Sequence, residues 1–235
     1  MKKKIEKING LLVEHFGIPP RPKILPTPLD AIIGTILSQN TNDKNSYQAY
    51  RNLKDNFSDW DKLAELKAIQ IEKYIKIAGL GKQKSKAIYE LLQSLKTKQK
   101  SVSLDQIKRN SDEEILNELT SYNGVGVKTA SCVLLFSLGR NVCPVDTHVH
   151  RTLNRIGIVK TNTPEKTFCE ITNQIPENTA HSFHTNLIRL GREICKPSNP
   201  ACSICPLRKI CKFESKNMKE KKPYKKIDFM LLDNL

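Results

Sequence analysis

The sequence lacks any apolar run long enough to cross a bilayer, which takes about 20 consecutive apolar residues. Its start, Met1-Lys2-Lys3-Lys4-Ile5-Glu6-Lys7, is positively charged with no apolar stretch behind it, so no secretory signal is read there and the chain is expected inside the cell. Acidic residues are also scarce. Asp plus Glu number 24 against 39 Lys plus Arg, a net charge of +15. An excess of that size points to a polyanionic partner, most often nucleic acid, although a lysine-rich protein kept soluble by its charge fits the same count. Strand-type alternation is hard to find and no internal repeat is present. The cysteines argue against a disulfide framework. There are 7, an odd count in a chain read as intracellular; Cys132, Cys143 and Cys169 are scattered, and the remainder are clustered.

What is there is helical periodicity. A chain of 235 residues fits one large domain or two compact ones. Ala31, Ile32, Thr35, Ile36 and Leu37 suit a buried helix after Pro26-Thr27-Pro28, and Tyr47, Tyr50, Leu53 and Phe57 suit a second helical face. Trp60 to Ile69 reads as short helical pieces. Residues 71–77 read as a helix stopped at Gly79, with Ala87, Leu91 and Leu95 continuing the pattern. Ser111-Asp112-Glu113-Glu114 fits a capping box, opening a helix that turns Ile115, Leu116 and Leu119 inward. Tyr122-Asn123-Gly124-Val125-Gly126 breaks it. A second helix follows, with Ala130, Val133, Leu134 and Leu138 at helical spacing, ending near Gly139. Val149, Leu153 and Ile156 form a stripe after Asp146, and residues 165–175 and 180–190 give two more helices. The fold class predicted is all-α.

Gly124-Val125-Gly126 sits between two of these helices. Glycine allows positive φ and close backbone approach, and amides beside a helix N-terminus hold a phosphate oxygen without reading base sequence. An ordinary helix–helix turn explains a bare Gly-x-Gly equally well. Lys128 lies in the first turn of the following helix, where the helix dipole and desolvation against a bound polyanion both disfavour its charged form, as an amine nucleophile requires; by position alone an ordinary surface lysine, of which the chain has many, fits better. Asp146 reads as the N-cap of the helix it begins, a position that keeps a carboxylate ionised. His148 and His150 read as structural or phosphate-contacting.

Cys195, Cys202, Cys205 and Cys211 have the spacing C-x6-C-x2-C-x5-C. Thiolates this close in sequence wrap either a tetrahedral zinc or an iron–sulfur cubane, and the residues alone leave both open.

These motifs resemble the endonuclease III family. Gly124-Val125-Gly126-Val127-Lys128-Thr129-Ala130 is similar to its "PGVGRKTA" hairpin, with Asn123 where proline is usual and Val127 where arginine is usual. Val145-Asp146-Thr147-His148-Val149-His150-Arg151 resembles its "VDTHVxR" stretch, and the cysteine spacing resembles its [4Fe–4S] loop, led by Leu190-Gly191-Arg192-Glu193-Ile194. Leu37-Ser38-Gln39-Asn40-Thr41-Asn42-Asp43 resembles "LSxQxxD", where a glutamine enters the duplex; Asn40 takes that place, with Gln39 beside it. Ala78-Gly79-Leu80 resembles the wedge loop. The resemblance implies a bifunctional DNA glycosylase/AP lyase of base-excision repair. In it Lys128 is the nucleophile and Asp146 the essential carboxylate. Gly124, Val125, Gly126 and His148 touch DNA, Gln39 or Asn40 fills the gap left by a flipped base, and Leu80 intercalates. Cys195, Cys202, Cys205 and Cys211 hold a [4Fe–4S] cluster, and Lys196, Arg208, Lys209 and Lys212 face phosphates.

The expected layout is a helix-hairpin-helix glycosylase fold of two helical domains. Residues 27–140 form one; 1–26 with 141–215 form the other, carrying the iron–sulfur loop; 216–235 is a basic tail touching DNA non-specifically. Double-stranded DNA with damaged bases or abasic sites is expected across a cleft between the domains, bound by a monomer in the cytoplasm or nucleoid. Oxidised pyrimidine is the lesion the resemblance implies, and uracil or mispaired thymine stays open as a substrate. A monofunctional glycosylase of the same superfamily and a non-catalytic DNA-binding protein with a metal staple are the competing readings.

Overall fold

The computed structural model describes residues 1–98, 101–219, 226, 227 and 229–235. Among them there is no strand. The α-helices are α1 (Lys2–Phe16), α2 (Pro28–Ser38), α3 (Asp43–Asn56), α4 (Trp60–Leu63), α5 (Ala68–Ile75), α6 (Gly81–Lys98), α7 (Asp112–Thr120), α8 (Val127–Cys132), α9 (Thr147–Ile156), α10 (Pro164–Ile171) and α11 (Ala180–Arg189). The chain divides into two compact units, Pro22–Arg140 with Phe229–Leu235, and Met1–Arg21 with Asn141–Asp228.

The first of these units is built round α2. Every residue from Pro28 to Leu37 is buried, and the helix packs on α3, α6 and α8. Each fully buried Ile or Leu stabilises the unit by about 1.5–3 kcal/mol relative to an exposed one. The helix starts where it does because Thr27 Oγ1 accepts from the Asp30 amide at 3.2 Å and Pro28, lacking an N–H, occupies the first turn. Asp30 is buried but partnered: the Tyr50 hydroxyl donates to it at 2.8 Å and Lys54 lies at 3.3 Å. Burial, and then the Asp30 charge, push the Tyr50 hydroxyl pKa well up.

The capping box that opens α7 is complete, with Glu114 N donating to Ser111 Oγ and Ser111 N to Glu114 Oε2. The helix expected to run from the hairpin to Gly139 is only partly α. Val133–Ser137 is a π segment, closed by Leu138 N donating to Val133 O at 3.1 Å. The end of the expected basic tail is apolar and packed. Phe229 meets Tyr47 edge-on at 5.4 Å, and the turn Leu231–Asp233 packs on α2 and α3. The middle of that tail, 220–225 and 228, lies outside the described residues.

The second unit contains a helix the periodicity survey passes over. In α1, Ile5, Ile8 and Leu12 are buried against α11, at a spacing that marks an amphipathic helix. Its lysine-rich outer face dilutes the signal. Side chains of α11 hold its C-terminal carbonyls: Arg189 Nη1 donates to Phe16 O at 2.9 Å and Asn186 Nδ2 to Gly17 O at 3.1 Å. Helix α9 packs on α10 and α11 and stops at Gly157, in the left-handed conformation at φ 83°.

Candidate functional site

The hairpin joins α7 to α8. Gly124 has φ +80°, and a side-chain carbon there would lie 2.8 Å from Ala87 Cβ on α6, so the fold itself requires glycine. Gly126 is different. Its backbone is extended (φ −92°, ψ 177°), which any residue adopts, and a side-chain carbon there would meet nothing within 4 Å. Nothing inside the protein demands a glycine at 126, and its backbone lies open beside the α8 N-terminus. The loop is braced by Asn123 Nδ2 donating to Glu90 Oε2 at 2.6 Å, while Val125 is buried. Lys128 follows in the first turn of α8, half-buried.

Gln39 and Asn40 are placed differently. Gln39 turns toward the hairpin, its Nε2 3.5 Å from Gly124 O, whereas Asn40 is exposed with φ 50°. Leu80 also takes a left-handed backbone, φ 51°, and is 48% exposed. A leucine there is not an ordinary core residue following a helix cap: it accepts both solvent and a strained backbone. Sequence reasoning missed Lys84. Its side chain is only 1% exposed, and its Nζ donates to Leu37 O at 2.8 Å and Ala78 O at 2.7 Å. The available signal was a lysine on the same helical stripe as Ile88, Leu91 and Leu95 of α6.

In the other unit Asp146 caps α9, accepting from Val149 N at 2.8 Å. Pro144, just before it, is pinned by a 2.9 Å contact between its carbonyl and His184 Nδ1. His148 leans over Gly191: a side-chain carbon at 191 would come within 2.8 Å of His148 Cβ. Burial lowers its pKa, and Arg151 Nη2 sits 3.2 Å from its Nδ1. His150 contacts Thr167 at 2.7 Å.

Cys195, Cys202, Cys205 and Cys211 line one small pocket, beside Arg155 and Phe213, and none is in a disulfide. Burial pushes the Cys205 thiol up to about 12, and the neighbouring thiols push the same way. Arg155 Nη1 lies 3.5 Å from Cys195 Sγ, and its guanidinium stacks 4.4 Å from the centre of the Phe213 ring. Among the described residues no three His, Cys, Asp or Glu side chains close on one point as a single ion requires. The thiols instead surround a space.

Residues 33–177 match the family described as HhH-GPD superfamily base excision DNA repair protein. Endonuclease III of Thermotoga maritima is 35% identical over 209 residues, covering 89% of this chain and 92% of that protein. The chain belongs to the endonuclease III family. Another endonuclease III, from Rickettsia felis, is 33% identical over 89% of this chain and 94% of its own length. A solved non-covalent endonuclease III–DNA complex shares the fold, with a TM-score of 0.75 at 23% identity over 90% of this chain and 95% of that one. So does a thermostable thymine-DNA glycosylase, with a TM-score of 0.70 at 18% identity, covering 90% and 96%. This endonuclease III family member is therefore a base-excision repair DNA glycosylase/lyase, and its family usually carries a [4Fe–4S] cluster.

Proposed function

We propose that this enzyme removes oxidised pyrimidines from double-stranded DNA and cuts the strand 3′ to the abasic site, with Lys128 as nucleophile. The observation that carries the reading is the placement of Lys128 in the first turn of α8, behind a glycine whose open side serves no internal contact. The Lys128 amine attacks C1′ and the bond from C1′ to the base breaks, the base leaving with a proton. The sugar opens to a protonated imine. Loss of a C2′ proton then expels the 3′ phosphate, and water hydrolyses the imine to restore the amine. Asp146, its carboxylate held in place by the amide it caps, stabilises the positive charge that develops on the sugar. Gly124, Val125 and Gly126 grip a phosphate. Asn40, exposed where Gln39 is turned toward the hairpin, fills the gap left by the flipped base, with Leu80 as wedge. His148 stands near the DNA as a packed support. The chain works as a monomer in the compartment that holds DNA, and residues 27–140 and 1–26 with 141–215 act as its two domains.

Cys195, Cys202, Cys205 and Cys211 fit a [4Fe–4S] cluster, since they ring a cavity where zinc would need sulfurs at about 2.3 Å from one point. With all coordination supplied by protein, the cluster contributes a structural staple, and Lys196, Arg208, Lys209 and Lys212 offer charge to phosphates.

Borohydride trapping on duplexes carrying single lesions tests the reading. A covalent adduct with an oxidised-pyrimidine duplex is expected, and none with Lys128→Gln. An adduct surviving that substitution removes Lys128 as nucleophile; base release with the strand left intact would mean a monofunctional glycosylase. Visible absorbance with iron and sulfide analysis tests the cluster, and a colourless zinc protein would reject it.

A further inference from the structure

Lys84 is the largest of the fully buried side chains, and among the described residues its ammonium pairs with no carboxylate. A buried cation is costly, and a methionine would fill the same space without that cost. The lysine is there for its donors. Leu37 lies in the last turn of α2 and Ala78 ends a 3-10 turn, so both carbonyls belong to helix ends whose acceptors are left over. A cation at a helix C-terminus also suits the helix dipole.

We propose that Lys84 is a positioning residue that fixes the two DNA-entering loops relative to each other. One carbonyl it holds stands just before Ser38-Gln39-Asn40, the other just before Gly79-Leu80. Both chains turn left-handed soon after the anchored carbonyls, at Asn40 (φ 50°) and at Leu80 (φ 51°). Lys84 N also donates to Leu80 O at 3.0 Å, so the lysine starts the helix that follows the wedge as well as clamping the turn before it. One side chain thus sets the spacing between the gap-filling residue and the wedge. Burial also lowers the Lys84 pKa to about 8.

The proposal rests on the reading that Asn40 and Leu80 enter the duplex, and the experiment separates the two. Lys84→Met keeps the bulk and removes the donors. Single-turnover base excision from a lesion duplex is compared with β-elimination on a single-stranded oligonucleotide carrying a preformed abasic site, which needs the amine but no opened stack. Excision from the duplex is expected to fall about tenfold or more, as a small misplacement suffices to cause. Elimination on the single strand is expected to stay within about twofold, and Leu80→Ala is expected to cost less in the Lys84→Met background than in the wild type. Parallel loss on both substrates, unchanged excision from the duplex, or full additivity with Leu80→Ala would each overturn the clamp. Should Leu80→Ala and Asn40→Ala leave duplex excision intact in the wild-type background, it is the loop assignment that fails. If methionine at 84 prevents folding, Lys84→Gln, a neutral and shorter donor, goes through the same assays with the same criteria.

Discussion

Gly124 rests its bare Cα against Ala87, with room for only 2.8 Å between Ala87 Cβ and any first side-chain carbon at 124. The hairpin's two glycines therefore answer to different demands. Gly124→Ala is expected to cost about 1–2 kcal/mol of stability, since it forces an L side chain into the left-handed region as well as against Ala87. Gly126→Ala is expected to change stability by less than about 0.5 kcal/mol, as for other exposed positions, while weakening binding to a lesion duplex. Denaturant unfolding and fluorescence anisotropy on both variants check the contrast. Equal loss of stability at the two positions would reduce the hairpin to an ordinary turn.

Leu80 joins solvent exposure to a backbone that leucine avoids. Asparagine tolerates that backbone, so Leu80→Asn is expected to leave stability unchanged or raise it by up to about 1 kcal/mol. Excision from duplex DNA is expected to drop. Thermal melts and single-turnover excision give the two numbers; lower stability with intact excision would make Leu80 a packing residue.

Asp146 serves two purposes that one substitution divides. Asparagine is as good an N-cap as aspartate, so Asp146→Asn should retain the Val149 amide and leave α9 within about 0.5 kcal/mol of the wild type. Base release is expected to fall steeply because the charge is gone. Asp146→Ala should lose activity and also about 1 kcal/mol of stability. Excision rates beside unfolding curves check this, and a fully active Asp146→Asn would remove the carboxylate from the chemistry.

The buried ammonium of Lys84 makes stability depend on pH. Its folded pKa is about 8, below its ordinary 10.5. Between those values the unfolded chain binds more protons than the native one, so this group's contribution to stability rises with pH across the window. The ceiling is about 3 kcal/mol, from 1.36 kcal/mol per unit, and the two accepting carbonyls reduce it by favouring the charged form. Urea unfolding of wild type and Lys84→Met at pH 7.5 and 9.5 should show the difference moving in the wild type's favour. Net proton uptake on unfolding at pH 9 gives the same sign without the variant. Parallel curves and no uptake would mean the side chain titrates normally.

Much of this was legible from residue order. The helices α2, α6 and α7, the capping box at Ser111, the glycine turn and the four-thiol loop depend on contacts within a few residues, and local spacing records such contacts directly. The helix α1 carried the same record in Ile5, Ile8 and Leu12 and was missed because its lysines obscure the stripe. The π segments at 133–137 and 190–194 carried no readable sign, since the same apolar spacing suits an α-helix.

The helical class, the glycine-bracketed hairpin ahead of Lys128, the cap at Asp146 and the thiols in one loop follow from residue order alone, because each is set by hydrogen bonds or spacing between near neighbours. The folded arrangement alone settles that Gln39 turns toward the hairpin while Asn40 faces out, that Leu80 is held in the open, that a glycine at 126 answers no internal contact, and that Lys84 closes on two distant carbonyls. Burial and pairing of this kind come from segments tens of residues apart, and the order of residues along a chain does not state which of them will meet.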